Sequence, residues 1–441
     1  TKTLTYSGTA ISLGANTITL SGGGSLVSGG LTLNDTSSKL LLNSITVDSV
    51  STSADSSSGG LDVDDNSTVS SLSVAHITPV SIASGKTLSG AITVTAGSIK
   101  LDDTGTLASS ISMSGGTLDA DNSLTVSGAL SHTDDITIDV AETKTLTYTG
   151  TAISLGANTL TLSGGGNLVS GGLTLNDPSS KLLLNSITID SVSTSADSSS
   201  GGLDVDNDST VSSLSVAHTT PVSIASGKTL SGAITVTAGS IKLAETGTLA
   251  SSISMSGGTL DANNSLTVSG TLTQSGDTTI DVLANKTLTY SGTAISLGAN
   301  TLTLSGGGTL SNTNALVLND ANSLLSLAGI LTIGDVEGTA ASNTGKGIQV
   351  SSSATLGDYD LSAESYLAIA NLQTLAGQLN LKSGGELNIS GLGRYTGDIA
   401  LAGGKFSAVD DQVLSGTLSI TADSELRVSE NYTLTLSQTG G

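Results

Sequence analysis

Cysteine is absent from this 441-residue chain, which excludes disulfide staples, thiol nucleophiles and thiolate metal ligands. Tryptophan is absent too, phenylalanine occurs once, and aromatics make up 2% of the residues, so no aromatic-rich globular core can form. Lys and Arg number 14 against 37 Asp and Glu, giving a formal net charge of −23 and a pI near 4.1. Nucleic-acid binding needs basic side chains to neutralise phosphates, so this balance argues against it, and against anionic membrane surfaces as well. No apolar run approaches the roughly 20 residues of a membrane-spanning helix, so no membrane insertion is expected in this segment. Neither an initiating Met nor a secretory leader opens the sequence, which reads as a mature or excised segment.

What is present points to a folded array. Fifty-five glycines sit among abundant Ser and Thr, yet 37% of residues are hydrophobic and the mean hydropathy is +0.22, too apolar for a disordered linker. The stretch Lys2 to Asn16 returns as Lys144 to Asn158 with one change and as Lys286 to Asn300 unchanged. Residues 1–142 therefore form one copy, 143–284 a second, aligned without a gap, and 285–308 the start of a third. Residues 309–441 diverge while keeping a similar local pattern.

That pattern alternates apolar with Ser or Thr in runs of four to six, as in Ile136-Thr137-Ile138-Asp139-Val140, the period-2 signature of a strand with one buried face. Glycine breaks such as Ser114-Gly115-Gly116 separate the runs, and no capped stripe of 3.6-residue period occurs. Leu88, Leu107, Leu124, Leu146 and Leu168 recur at about 20 residues, so a copy holds about seven coils. Asn-Gly and Asp-Gly hairpin signals are missing. The expected fold is all-β, an elongated right-handed parallel β-solenoid of about 20 residues per coil, rising about 4.8 Å per coil, or roughly 100 Å for the chain. The excess acid reads as a device that keeps like-charged units soluble.

Few motifs carry chemistry, and no catalytic set is expected. Asp62, Asp64 and Asp65 and, in the second copy, Asp204, Asp206 and Asp208 place several oxygens in short turns and are the candidate ligands for Ca²⁺, the one cofactor considered. An EF-hand would need Gly sixth and Glu twelfth from Asp62, where Ser67 and Ser73 stand, and Asp and Asn equally cap turns. Asp102/Asp103 and Asp134/Asp135 suit general acid and base work, but the second copy replaces Asp102 by Ala244 and Asp134 by Gly276. His76, His132 and His218 form no metal set, since Gln274 replaces His132. Tyr6, Tyr148 and Tyr290 share the parity of their neighbouring leucines, which points them inward or to a wet corner. The divergent part concentrates Tyr359, Tyr366, Arg394, Tyr395, Phe406 and Arg427, the candidate ligand contacts, and adds the acidic pair Asp410/Asp411.

Runs such as Thr159-Leu160-Thr161-Leu162-Ser163-Gly164-Gly165-Gly166 and Ser123-Leu124-Thr125-Val126-Ser127-Gly128 resemble the passenger regions of bacterial surface proteins, the filamentous-haemagglutinin-like and autotransporter adhesins. The resemblance implies an extracellular β-helix at the cell surface, acting as a stalk, fibre or adhesin, with surface glycans among its partners. Two alternatives stand beside it: a carbohydrate-active β-helix with its site in 309–441, and an ice-binding solenoid. The T-x-T pairs Thr3/Thr5, Thr17/Thr19, Thr93/Thr95 and Thr301/Thr303 fall too irregularly to favour the second. Thr1 to Gly8 and Tyr432 to Gly441 show strand pattern without a cap, so pairing head to tail with another copy, or continuation into a longer chain, is expected.

Overall fold

Short strands that each bury one face, joined by corners too tight for a helix, are stable when stacked so that every turn covers the one before it. The computed structural model describes residues 2–56, 58–198, 200–329 and 332–437, and all regular secondary structure among them is strand. Thr1 and the terminal residues 438–441 lie outside the described residues. The chain is a parallel β-solenoid of about 21 residues per turn. Register partners stand 19 residues apart at Thr32 and Ser51 and 24 apart at Asp139 and Ser163. It divides into two compact units, Thr1–Leu214 and Ser215–Gly441, a division that does not coincide with the 142-residue copies.

In the first unit each turn contributes one strand to a narrow sheet and a bent strand, or two short ones, to a wide sheet. Thr87–Val94 lies in the wide sheet and Ser98–Leu101 in the narrow one; Thr106–Leu107 and Ser110–Met113 return to the wide sheet before Thr117–Ala120 rejoins the narrow sheet. The bend is set at Gly90, where the register slips before Ile92 and φ is 128°. A Cβ there would stand 1.8 Å from the Val69 carbonyl oxygen, so the elbow requires glycine. The second unit is built alike, with wide-sheet slips between Thr355 and Asp358 and between Leu401 and Ala402.

Alternation fills the interior with columns. On the narrow sheet Leu40, Leu61, Val80, Leu101 and Ala120 stack in register, none more than 1% exposed. The spaced leucines resolve into two such columns: Leu88 pairs with Leu107 and then Val126, while Leu124 pairs with Leu146 and Leu168. Tyr148 and Tyr290 point inward, and their hydroxyls meet backbone rather than water, accepting the Leu130 and Leu272 N–H at 2.9 and 3.0 Å.

Corners lack ladder partners, so their N–H groups need other acceptors. Side chains of the neighbouring turn supply them: Gly14, Gly156 and Gly298 each donate at 2.8 Å to Asn34, Asn176 and Asn319 respectively. Asp48 takes the Ser28 N–H at 2.7 Å, and Asp135 and Asp277 take those of Thr159 and Thr301 at 2.6 Å.

The value of stacking shows where a turn has one neighbour in place of two. Leu4, on the first described turn, is 69% exposed, whereas its counterparts Leu146 and Leu288 are 1% exposed. Tyr6 is 44% exposed against 4% for Tyr148 and 2% for Tyr290. Leu146→Ala is therefore expected to lower stability by about 3 kcal/mol, and Leu4→Ala by less than about 1 kcal/mol. Denaturant titration reads both; equal losses would show that neighbouring turns do not supply the burial.

Candidate functional site

The Asp turns expected to hold Ca²⁺ do not converge. Strand alternation points Asp62 off the narrow sheet, where Lys39 holds it at 2.5 Å, while Asp64 leaves the strand into solvent. Asp65 turns to Lys86 at 2.8 Å and accepts the Ser44 hydroxyl at 3.0 Å. That lysine contact, with the Asn66 N–H and Ser44, lowers the Asp65 carboxyl to about 2. In the second copy Lys181 holds Asp204 at 2.6 Å, and Asp206 is exposed. Among the described residues no group of three or more His, Cys, Asp or Glu is arranged to hold a metal ion, these six aspartates included.

The carboxylate pairs also resolve into structural parts. Asp134 and Asp135 accept backbone N–H groups at 2.9 and 2.6 Å, and Asp410 and Asp411 do so from Gly391 and Thr433 at 2.8 and 2.7 Å. The register creates pairs that spacing alone does not reveal: Asp119 lies beside Asp139, Asp261 beside Asp281, and Glu364 beside Glu386. Burial raises Asp119, with Asp121 adding to the effect, and raises Asp102 in the same way. Asp261 is raised by burial and then by Asp281. The Glu364 carboxylate accepts the Tyr366 hydroxyl at 3.1 Å and the Asn388 amide at 3.0 Å.

Of the candidate ligand contacts, three belong to the core. Tyr359, Tyr395 and Phe406 are 1%, 2% and 0% exposed, because strand parity turns them inward where a ligand cannot reach. Tyr359 bonds Ser365 at 2.8 Å and Tyr395 donates to the Gly377 carbonyl at 3.0 Å; burial pushes both phenols above their ordinary value. Tyr366, Arg394 and Arg427 remain at the surface, on separate strands.

Arg394 sits in the most unusual surface of the second unit. It lines a groove of about 330 Å³ with Asn371, Gln373, Thr374, Leu372 and Leu392, and these two leucines are 88% and 67% exposed. Leu372 also holds a φ of 66°, a left-handed conformation that an L side chain with no polar tip resists. The same turn recurs with Thr143 and Asn285 at this position, closed by Lys144 and Lys286 N–H bonds as Gln373 closes this one. Sequence reading passed over the leucines because nothing local marks a Leu as left-handed; alignment of the three turns by coil would have found it. What the groove offers chemically is apolar contact beside one cation.

Comparison with protein-family models, curated proteins and solved structures returns no match, so the chemistry of the chain itself carries the functional argument.

Asp102, Asp119 and Asp261 bind protons more tightly folded than unfolded, so their stabilisation is present below the unfolded value of 3.8 and lost as pH rises through their folded values. Asp65, lowered chiefly by Lys86, has the opposite sign, as do Asp398, lowered by Thr417, and Asp360, where bonds from Lys382 and Asn380 outweigh its burial. Asp119→Asn is expected to raise the melting temperature at pH 7 and to lose that advantage as pH falls toward 3.8; an advantage that does not shrink with falling pH would refute this. Separately, Leu372→Asn is expected to stabilise by about 0.5–1 kcal/mol in chemical denaturation, since Asn tolerates the left-handed turn. A loss of stability would mean that Leu372 packs in place and is not strained.

Proposed function

We propose that this chain is a structural segment of an extracellular stalk, fibre or adhesin at a bacterial cell surface, and that it performs no catalysis. The observation that carries the reading is the interchangeability of the copies. Strands of the first copy return in the second with the same burial alternation, as Thr87–Val94 does in Thr229–Val236 and Ser67–Val74 in Ser209–Val216. The acidic residues a catalyst would need, Asp102 and Asp134, are not kept between them. Duplication of turns that stack only on their neighbours extends reach and adds no new chemistry.

The lengthwise partner in this reading is more of the same: another copy joined head to tail, or further chain. A turn laid against Leu4 and Tyr6 would bury apolar surface that their counterparts already bury. Surface glycans are the proposed distal partner, with Tyr366, Arg394 and Arg427 the accessible polar groups among the sequence candidates.

Deletion of residues 143–284 tests the reading, because it joins position 142 to residues 285–308, which match the start of the copy removed. The variant is expected to keep its denaturation midpoint and to shorten by roughly 34 Å in solution scattering, about seven rises of about 4.8 Å. Misfolding of the variant would overturn the interchangeability. Incubating the full chain with acidic and neutral polysaccharides is expected to leave them intact; chain cleavage would establish the carbohydrate-active alternative instead.

A further inference from the structure

The strand charges are segregated. In the first unit the narrow-sheet strands carry Lys39, Asp62, Lys100, Asp119, Asp139, Lys181 and Asp204, whereas the described wide-sheet strands carry Asp48 and Asp190 alone. The Asp48 carboxylate accepts bonds from Ser28 and Ser49, and that of Asp190 the matching bonds from Ser170 and Ser191. What fills the outer surface of the wide sheet is hydroxyl. Thr32, Ser51, Ser73, Thr93, Ser112 and Ser131 succeed one another in register on six consecutive turns, each at least partly exposed. Thr3, Ser25, Thr46, Thr68 and Ser89 form a second such column.

The second unit carries a similar surface of its own. Its wide-sheet strands from Thr229–Val236 to Leu316–Leu318 carry no Asp, Glu, Lys or Arg, and Thr235, Ser254 and Thr273 stack in register. Past the repeats, the column that includes Ser296 and Val317 becomes Glu337, then Asp360. Within the second unit the described wide-sheet strands are uncharged as far as Leu316–Leu318 and acidic at Glu337 and Asp360 beyond.

We propose that the hydroxyl-rich face of the wide sheet in the first unit is a lateral docking surface for a second copy of this chain, face to face. In a chain of net charge −23, two copies brought together through the narrow sheets or the corners would oppose carboxylates, while the wide sheets meet with almost none. Ten turns at about 4.8 Å and a breadth of roughly 20 Å present about 1,000 Å² per partner, above the roughly 800 Å² of a standard interface. Small side chains of uniform size permit close approach of two sheets, with exposed hydroxyls such as those of Thr93 and Ser112 available to bond across the contact. This goes beyond the stalk reading: it concerns the flank of the solenoid and holds whether or not the chain adds length end to end.

Sedimentation velocity over a concentration series at physiological salt tests it. The full chain is expected to show a concentration-dependent dimer, and the double variant Ser73→Glu with Ser112→Glu to weaken the association at least 10-fold. Glu337 shows that a turn accepts glutamate on this face, so the double variant is expected to melt with the full chain, and Thr117→Glu on the narrow sheet to leave association unchanged. A chain that stays monomeric throughout overturns the proposal. Thermal hysteresis in that monomer, abolished by the same double variant, would assign the face to ordered water instead. A dimer insensitive to the double variant overturns it equally.

Discussion

Everything in this molecule rests on one repeated interaction, the parallel ladder by which each turn hydrogen-bonds to the turns about 21 residues before and after it. In a parallel ladder equivalent residues face each other, so a property placed once on a strand is placed on a column. Apolar positions become the core columns from Leu40 to Ala120, small hydroxyls become the columns of the wide sheet, and aspartates become Asp119 beside Asp139. Corners escape the ladder, and their N–H groups are met by Asn and Asp of the adjacent turn. The acidic character of the chain is thus partly a structural requirement of its corners, in addition to its effect on solubility.

Much of the fold was legible because period-2 alternation and glycine corners are local signals. The all-β class followed from them, the coil length near 20 from the leucine spacing, and the parallel stacking from that spacing together with the missing hairpin signals. The assignment of columns did not. Leu124 and Val126 stand two residues apart on one strand with the same parity, and only the ladder decides that Val126 rather than Leu124 follows Leu107. The candidate site fared less well for the same reason. Tyr359, Tyr395 and Phe406 drew notice by rarity, yet parity, not rarity, decides which way a strand residue faces, and it turned them into the core. Glu364 and Glu386 lie 22 residues apart and show no local motif, although the ladder places them side by side.

The divergent part differs from the copies in kind. It puts charge on the wide sheet at Glu337 and Asp360, fills its core with Tyr359, Tyr395 and Phe406, and exposes Leu372 in a strained turn beside Leu392 and Arg394. A leucine in the left-handed position contrasts with the Thr143 and Asn285 that hold it at the equivalent turns of the copies. Individuality is concentrated there, while the copies supply uniform surface.

The direction of the ladder has a mechanical consequence. Its hydrogen bonds run from turn to turn, so a pull along the stack loads them one turn after another, not all together as in the sheared strands of a sandwich. Each turn that peels away frees about 21 residues, which extend to roughly 70 Å where the folded turn occupied about 4.8 Å. Because each turn stacks only on its neighbours, loss of one turn under tension leaves the contacts of the more distant turns intact.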